Sequence, residues 1–420
     1  MRTYAILLVC VALLLSGCGI FATKPIQTES PTNSVDPLEK LQTDIDAILQ
    51  DPLFTTASIG IKVVAVDTGE VIYGKNTHKL HHPASTTKLF TAATALAKLG
   101  ADYQFETTVY IDADMSEGVA NNIYLKGKAD PVLQRNDIVK LGNALLQTGI
   151  QSVRGKIIID ETYLDRVPEG PGWMWDDRPL IISALSIREI EPDTNTWNRA
   201  YACGHLLKNA LIEKGVNVSQ EVVSGTVPSE AKVIAKHLSP PLADILKLMN
   251  KPSDNWIAEL IFKTIGAEVV GEPGTWEKGR QVVTEFLSEV MDNQSPHRFV
   301  DGSGLSRYNL LNAELLTDLL VYMYQNFQLM PEYLASLPIA GVDGTLRNRM
   351  QGVYAEKVLR AKTGTLSGVS ALAGYTVTAD DEVFAFGILV SHYVGPPALA
   401  RGIQDKIGNY LTGFSRYPQE

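Results

Sequence analysis

The chain has 420 residues, 45% hydrophobic and 20% charged, the balance of an ordinary globular protein with length for one large core or two to three small ones. That composition excludes a fibrous or disordered chain. A formal charge of −10, with no long basic or acidic block, argues against non-specific nucleic-acid binding and leaves small or polymeric molecules held in a cleft as the expected partners.

In chain order, "MRTYAILLVCVALLLSGCG" places Arg2 before an apolar run, Tyr4 to Leu15, too short for a membrane span, so 1–17 reads as an export signal. Leu15, Ser16, Gly17 and Cys18 resemble the bacterial lipobox, in which cleavage leaves a lipid-bearing Cys at the new N-terminus. Residues 18–36 are polar and rich in Pro, Ser and Thr, as a tether would be. Gly19 rather than Asp follows Cys18, which under the enteric sorting rule favours the outer membrane. The expected location is the cell envelope, on the periplasmic side of the outer membrane in a Gram-negative host. Cys10 leaves with the signal and Cys18 takes lipid, so Cys203 is the remaining thiol and is expected to be a small core residue.

The spacing then predicts a helix over 37–50, a strand over 58–67, a "DTGE" turn and a strand ending at Tyr73. His78, His81 and His82 follow in a stretch read as a solvated loop, because no matching acidic or His cluster accompanies them. Leu89, Ala92, Ala93, Leu96 and Leu99 recur at helical spacing, with Pro83 at the entry and Gly100 at the stop. Ser85 falls in the first turn, three residues before Lys88, so hydroxyl and amine share a face as a nucleophile and its base. The free N–H groups there favour an alkoxide or an attacked carbonyl oxygen. Ser229 and Lys232 repeat the spacing in a polar stretch, and spacing alone does not choose between the pairs.

From 102 to 231 the character changes. Short runs, "FETTVYI", "NNIYLKG" and "GKIIID", surround a helix expected over 137–148, and "VPEGPGWMWDDRP" follows, so this stretch reads as an inserted β-rich accessory module. Beyond it come the strand "KVIAKHLS", the helix "PPLADILKLMN" with Ser239 as expected N-cap, and "KPSDN" leading into the helix "WIAELIFKTIG". Further helices run to about 328. Strands over 357–365, 371–378 and 383–391, joined by short links, suggest an antiparallel meander, and a helix over 398–412 closes an α+β chain.

Two more motifs fall in order, Ser253-Asp254-Asn255 and Lys362-Thr363-Gly364. Together with Ser85-x-x-Lys88 they resemble the signature of penicillin-binding proteins and class A β-lactamases. The chemistry is coherent. A lysine is a base only when neutral, and burial or a second ammonium lowers its pKa, so Lys362 is expected to depress Lys88. Ser253 could pass a proton to a leaving amine, and Asn255 could hold the substrate amide or Lys88. Lys362 and Thr363 would receive a C-terminal carboxylate, while Gly364 would let substrate backbone lie close to the strand edge. The N–H groups of Ser85 and Thr365 are the candidate oxyanion donors. "DGSGLS" lacks the Lys of a phosphate loop and reads as a tight turn beside the cleft. Arg307, just after it, is open between binding a stem-peptide carboxylate and a structural role.

"PASTTKLFTAATAL", "YLKGKADPVL", "KPSDNWIAE", "DGSGLSRYNL", "LPIAGVDGTLRNRM" and "LRAKTGTLSGVSALAGY" resemble the low-molecular-mass class C (type-4) penicillin-binding proteins, the D-Ala-D-Ala carboxypeptidase/endopeptidase family. The likeness covers nearly the whole mature chain. It implies a penicillin-binding, β-lactamase-like transpeptidase domain over 37–101 and 232–420, an antiparallel sheet flanked by helices with a helical subdomain, interrupted by the module at 102–231. That insert is shorter than the family leads one to expect, and its number of accessory domains is open. The resemblance also implies hydrolysis of peptidoglycan through an acyl-Ser85 intermediate, without cofactor or metal. Stem peptides and cross-links would be partners, β-lactams inhibitors, the membrane a partner through the N-terminal lipid, and nucleic acid none. A β-lactamase is the enzymatic alternative, but the Glu-x-x-Leu-Asn setting of class A enzymes does not occur between Asn255 and Lys362, where "EVMDN" is nearest. A tethered wall-binding protein that acylates without turnover is the other, since slow deacylation leaves no motif.

Overall fold

The computed structural model describes residues 36–113, 115, 117–177, 180–187, 198–291 and 295–417; the stretch read as export signal, Cys18 and the expected tether as far as residue 35 lie outside them. The apolar runs SIGIKVVA (Ser58–Ala65), VSALAGYTV (Val369–Val377) and VFAFGILVS (Val383–Ser391) form the middle of a five-stranded sheet. They are buried almost continuously rather than in alternation because helices cover both faces. Arg360–Leu366 forms one edge and Val71–Lys75 the other, and every pairing is antiparallel. The first edge carries Lys362, Thr363, Gly364 and Thr365.

On one face, Leu41 and Ile45 of the Pro37–Ile48 helix join Ile403, Ile407 and Leu411 of the Ala398–Thr412 helix against Ile61, Val63 and Phe386. On the other, the helices Thr87–Leu99, Leu242–Asn250, Asn255–Val270, Trp276–Val290 and Ala313–Gln325 share a core with Ala371, Ala373 and Leu389. Each fully buried Leu, Ile or Phe side chain contributes about 1.5–3 kcal/mol relative to exposure, so both faces anchor the sheet firmly. The cleft lies between this helical group and the Arg360–Leu366 edge.

The inserted stretch builds a second sheet, in the order Lys232–Leu238, Glu106–Ile111, Ile123–Gly127, Ile157–Asp160 and Val222–Ser224. One expectation changes here and another is filled out. Lys232–Leu238 pairs with Glu106–Ile111, so the module's sheet extends past Ala231 to Leu238. The module is also more than β-rich: Ile123–Gly127, Ile157–Asp160 and Val222–Ser224 pair in parallel, and the helices Arg135–Leu146 and Asn198–Glu213 supply the crossovers that parallel strands require. Ala200, Cys203, Leu207 and Leu211 are the buried side of the second helix, and burial pushes the Cys203 thiol up to about 12, a core residue with no nucleophilic form near neutrality.

Two smaller corrections follow from long-range contacts. Ser239 does not cap the Leu242–Asn250 helix, whose N-cap is Pro241; its hydroxyl accepts from Phe105 N at 2.9 Å and so fastens the module's exit to its entry. His81 is not solvated. It is buried, bridged through its backbone to Leu311, with Nδ1 3.0 Å from Ser391 Oγ, and burial drives its pKa down to about 4.

Candidate active site

Ser85 occupies a single 3-10 turn, Ala84–Thr86, that runs directly into the Thr87–Leu99 helix. Ala84 before it has φ +47°, a left-handed backbone that a residue with a Cβ adopts only when its surroundings impose it. The surroundings are on both sides. Thr86 and Thr87 hydroxyls donate to Pro83 O and Ala84 O at 2.7 and 2.9 Å, and Gly304 packs so closely that a Cβ there would stand 1.8 Å from Ala84 O. Opposite, a Cβ on Gly364 would lie 2.7 Å from Pro83 O. Gly364 is small at least because the edge strand abuts the Ser85 turn, a reason that stands beside the substrate approach expected from the sequence.

Lys88, one helical turn on, is fully buried. Its Nζ donates to Ser85 Oγ at 3.0 Å, Asn255 Oδ1 at 2.6 Å and Ser303 O at 2.8 Å. Asn255 reaches it as the first residue of the Asn255–Val270 helix, whose N-cap Asp254 accepts from Ile257 N at 3.0 Å. Ser253, at φ +65°, turns its hydroxyl to the other amine: Lys362 Nζ donates to Ser253 Oγ at 2.7 Å and to Thr363 O at 2.9 Å. Thr363 Oγ1 donates to Thr345 Oγ1 at 2.7 Å, and Thr365 Oγ1 accepts from Arg401 Nη2 at 3.2 Å. Ser85, Ser253, Asn255, Thr363 and Thr365 are partly open, whereas both amines are sealed beneath them.

The electrostatics differ from the expectation in their cause. Burial pushes Lys88 down to about 8, while Glu259, Asp301 and Asp254 pull it back up. Lys362 is not among the main causes; it is itself driven well below the ammonium range, by burial first and by the Lys88 charge second. Two amines in one dry cleft resist carrying two protons, and the pair titrates as a unit.

The structure separates the two Ser-x-x-Lys copies. Ser229 is exposed and bonds Glu230 at 3.1 Å, while Lys232 Nζ donates to Ala113 O at 2.7 Å. The "DGSGLS" stretch is the loop that covers Lys88, holding Ser303 O against it and tied to the Ser85 helix by Thr91 Oγ1 on Gly302 O at 2.7 Å. Arg307 is half-buried; its N–H donates to Gly172 O at 3.1 Å, which sets it beside the Trp-rich stretch of the inserted module. Sequence reasoning passed over Ser303, Thr345 and Glu259. Glu259 alone left a trace: it is an acidic residue inside the apolar run "WIAELIF", four places after Asn255 and so on the same helix face.

Among the described residues no group of His, Cys, Asp and Glu is arranged to hold a metal. An amine within hydrogen-bond reach of a hydroxyl, next to a second amine and an open strand edge, can activate that hydroxyl against a carbonyl presented along the edge.

The profile of the D-Ala-D-Ala carboxypeptidase 3 (S13) family matches residues 41–195 and 187–412. A D-alanyl-D-alanine carboxypeptidase from Actinomadura sp. (strain R39) is 34% identical over 90% of this chain and 85% of its own length. In structure the chain is similar to penicillin binding protein 4 from Haemophilus influenzae, with a TM-score of 0.78 and 24% identity over 88% of this chain and 98% of that one. A predatory endopeptidase from Bdellovibrio bacteriovorus follows at a TM-score of 0.58 and 21% identity, covering 85% and 92%. The two structural likenesses speak for the fold.

Proposed function

The chain belongs to the D-Ala-D-Ala carboxypeptidase 3 (S13) family and is a serine-type D-Ala-D-Ala peptidase; from that premise we propose that it cuts D-alanyl bonds of peptidoglycan through an ester on Ser85. The observation that carries the assignment is Lys88 Nζ, 3.0 Å from Ser85 Oγ and fixed by Asn255 and Ser303.

Neutral Lys88 takes the Ser85 proton as Oγ forms its bond to the penultimate D-Ala carbonyl carbon. The oxyanion receives the N–H groups of Ser85 and Thr365. When the C–N bond breaks, a proton reaches the departing amine through Ser253, which Lys362 holds at 2.7 Å. Water then hydrolyses the ester. The hydroxyls of Thr363 and Thr365 receive the terminal carboxylate above the buried Lys362 charge, Thr345 and Arg401 holding those hydroxyls in place. Carboxylate binding favours the ammonium on Lys362, which leaves Lys88 as the neutral partner of the pair. Arg307 is the candidate to meet a carboxylate on the stem side. β-Lactams, which present a strained amide and a carboxylate, acylate the same serine.

Digestion of purified muropeptides by the mature protein tests this function. Mass spectrometry should show pentapeptide stems losing one D-Ala, or cross-linked dimers becoming monomers. Unchanged muropeptides alongside a stable penicillin adduct would favour the non-turnover alternative.

We also propose that the protein is exported and lipid-anchored through Cys18, at the periplasmic side of the outer membrane, on the strength of the "LSGC" run and Gly19. Cys18→Ala should move it from the membrane fraction to the soluble periplasm. A variant that still sediments with membranes counts against the tether.

A further inference from the structure

Behind Lys88 lies a second layer of charge that the reaction described above does not use. Glu259 and Asp301 are both fully buried. Glu259 Oε2 accepts from Trp276 Nε1 at 2.8 Å and Gly302 N at 3.1 Å, and Oε1 accepts from Ser303 N at 2.8 Å. Asp301 accepts from Gly304 N, Ser306 N and Asn309 Nδ2 at 2.9, 2.6 and 2.6 Å, and from Trp173 Nε1 at 2.9 Å. Every neighbour bonded to either carboxylate is a donor. Such a setting suits the ionised form, and a protonated carboxyl would turn its O–H toward another donor.

We propose that Glu259 is a positioning residue for Lys88: its buried carboxylate gathers the Gly302 and Ser303 N–H groups, sets Ser303 O against the Lys88 amine, and supplies the counter-charge of its ammonium form. The inference rests on Lys88 being the base for Ser85. The geometry has two consequences. The Gly302–Ser303 backbone is threaded between the carboxylate and the amine, so Glu259 fixes the acceptor that orients Lys88, in addition to the loop's own Asp301 turn and the Thr91 tie. The same charge also helps to set, with Asp301 and Asp254 against burial, the pH at which the lysine pair gives up its last proton.

The groups facing Glu259 are Asp301 from the loop, Lys88 from the Thr87–Leu99 helix, Trp276 from the Trp276–Val290 helix, and Lys263 on its own helix, whose Nζ is 3.9 Å from the Trp276 ring centroid and paired with Asp165 at 2.5 Å. Burial and the Asp301 charge raise Glu259 to about 7, with its three N–H donors opposing. Its charge is the largest of those that hold Lys88 up against desolvation.

The test is the pH dependence of second-order acylation by a β-lactam for wild type, Glu259→Gln and Glu259→Asp, with the label mapped in each. The active pair carries one proton, so the rate falls on the alkaline side as that proton leaves, near pH 8 from the Lys88 value. Glu259→Gln removes the counter-charge and should move this alkaline limb down by about one pH unit. The maximum should also fall, because the Gln amide turns N–H toward a donor. Glu259→Asp keeps the charge but draws it back by a methylene, so acylation should slow while the limb stays within about 0.3 units of wild type. A Gln variant that is slower at every pH with an unmoved limb would overturn the proposal and leave Glu259 a structural residue. If the Gln variant does not fold, an Asp limb displaced by a full unit would overturn it equally. Label on Ser85 in wild type keeps either outcome separate from a failure of the Ser85 assignment itself.

Discussion

Ser85→Ala should reduce D-Ala release and β-lactam acylation by at least about 1000-fold, while Ser229→Ala leaves both at wild-type rates. The expectation follows from where the two serines stand. Removing the Ser85 hydroxyl takes away the one atom that Lys88 can deprotonate toward the cleft, and leaves the Lys88 amine its contacts to Asn255 and Ser303. The buried Lys88 amine loses one of its three acceptors and keeps the other two, so the melting temperature should stay close to that of wild type. Ser229 is exposed and its hydroxyl bonds Glu230, on the surface of the inserted module. Acylation rates of the two purified variants check the contrast.

The second large effect belongs to the lysine pair. Lys88→Arg keeps a cation in the slot but offers no accessible neutral form, so acylation should fall about 100- to 10,000-fold, the usual worth of a general base. An unchanged circular-dichroism spectrum would show that the fold survives. The sign of the pH dependence separates the two lysines. With both amines present, the working state holds one proton between them: the rate is low in acid, where both are ammonium, and falls again as pH passes about 8, where neither is. Lys362→Gln leaves Lys88 to titrate alone. The working state is then neutral Lys88, so the alkaline fall should become a rise through its pKa, at a lower overall rate because the carboxylate has lost its ammonium. An alkaline fall that persists in Lys362→Gln would mean that the pair does not share its proton in this way.

What the sequence made legible is what lies close together along it. Ser85 and Lys88 meet across one helical turn, Ser253 and Asn255 flank a single N-cap, and Lys362 to Thr365 run along one strand, so short motifs carried them. The contacts that finish the site are long-range: Ser303 is 215 residues from Lys88, and Lys362 is 109 from Ser253. No local pattern marks Ser303 O as an acceptor, because it is a main-chain atom placed by Glu259. Composition marked the inserted module as β-rich but left its second helix unread for a similar reason. The Asn198–Glu213 helix buries Ala200, Cys203, Leu207 and Leu211 in the module's core, and no local pattern shows that the short strands it joins pair in parallel. Gly364 illustrates a third kind of limit. A glycine in the motif invites an explanation through substrate, and no pattern within the motif discloses that Pro83 and Ala84 also press on its Cβ position.

The account as a whole stands on one covalent bond. The mature protein should be treated with a penicillin, quenched in acid, digested, and its peptides measured by tandem mass spectrometry. The mass of the penicilloyl group should appear on the peptide that contains Ser85, with fragment ions placing it on that residue and the peptide containing Ser229 unmodified. A penicilloyl mass on Ser229, or on any residue other than Ser85, would contradict the account.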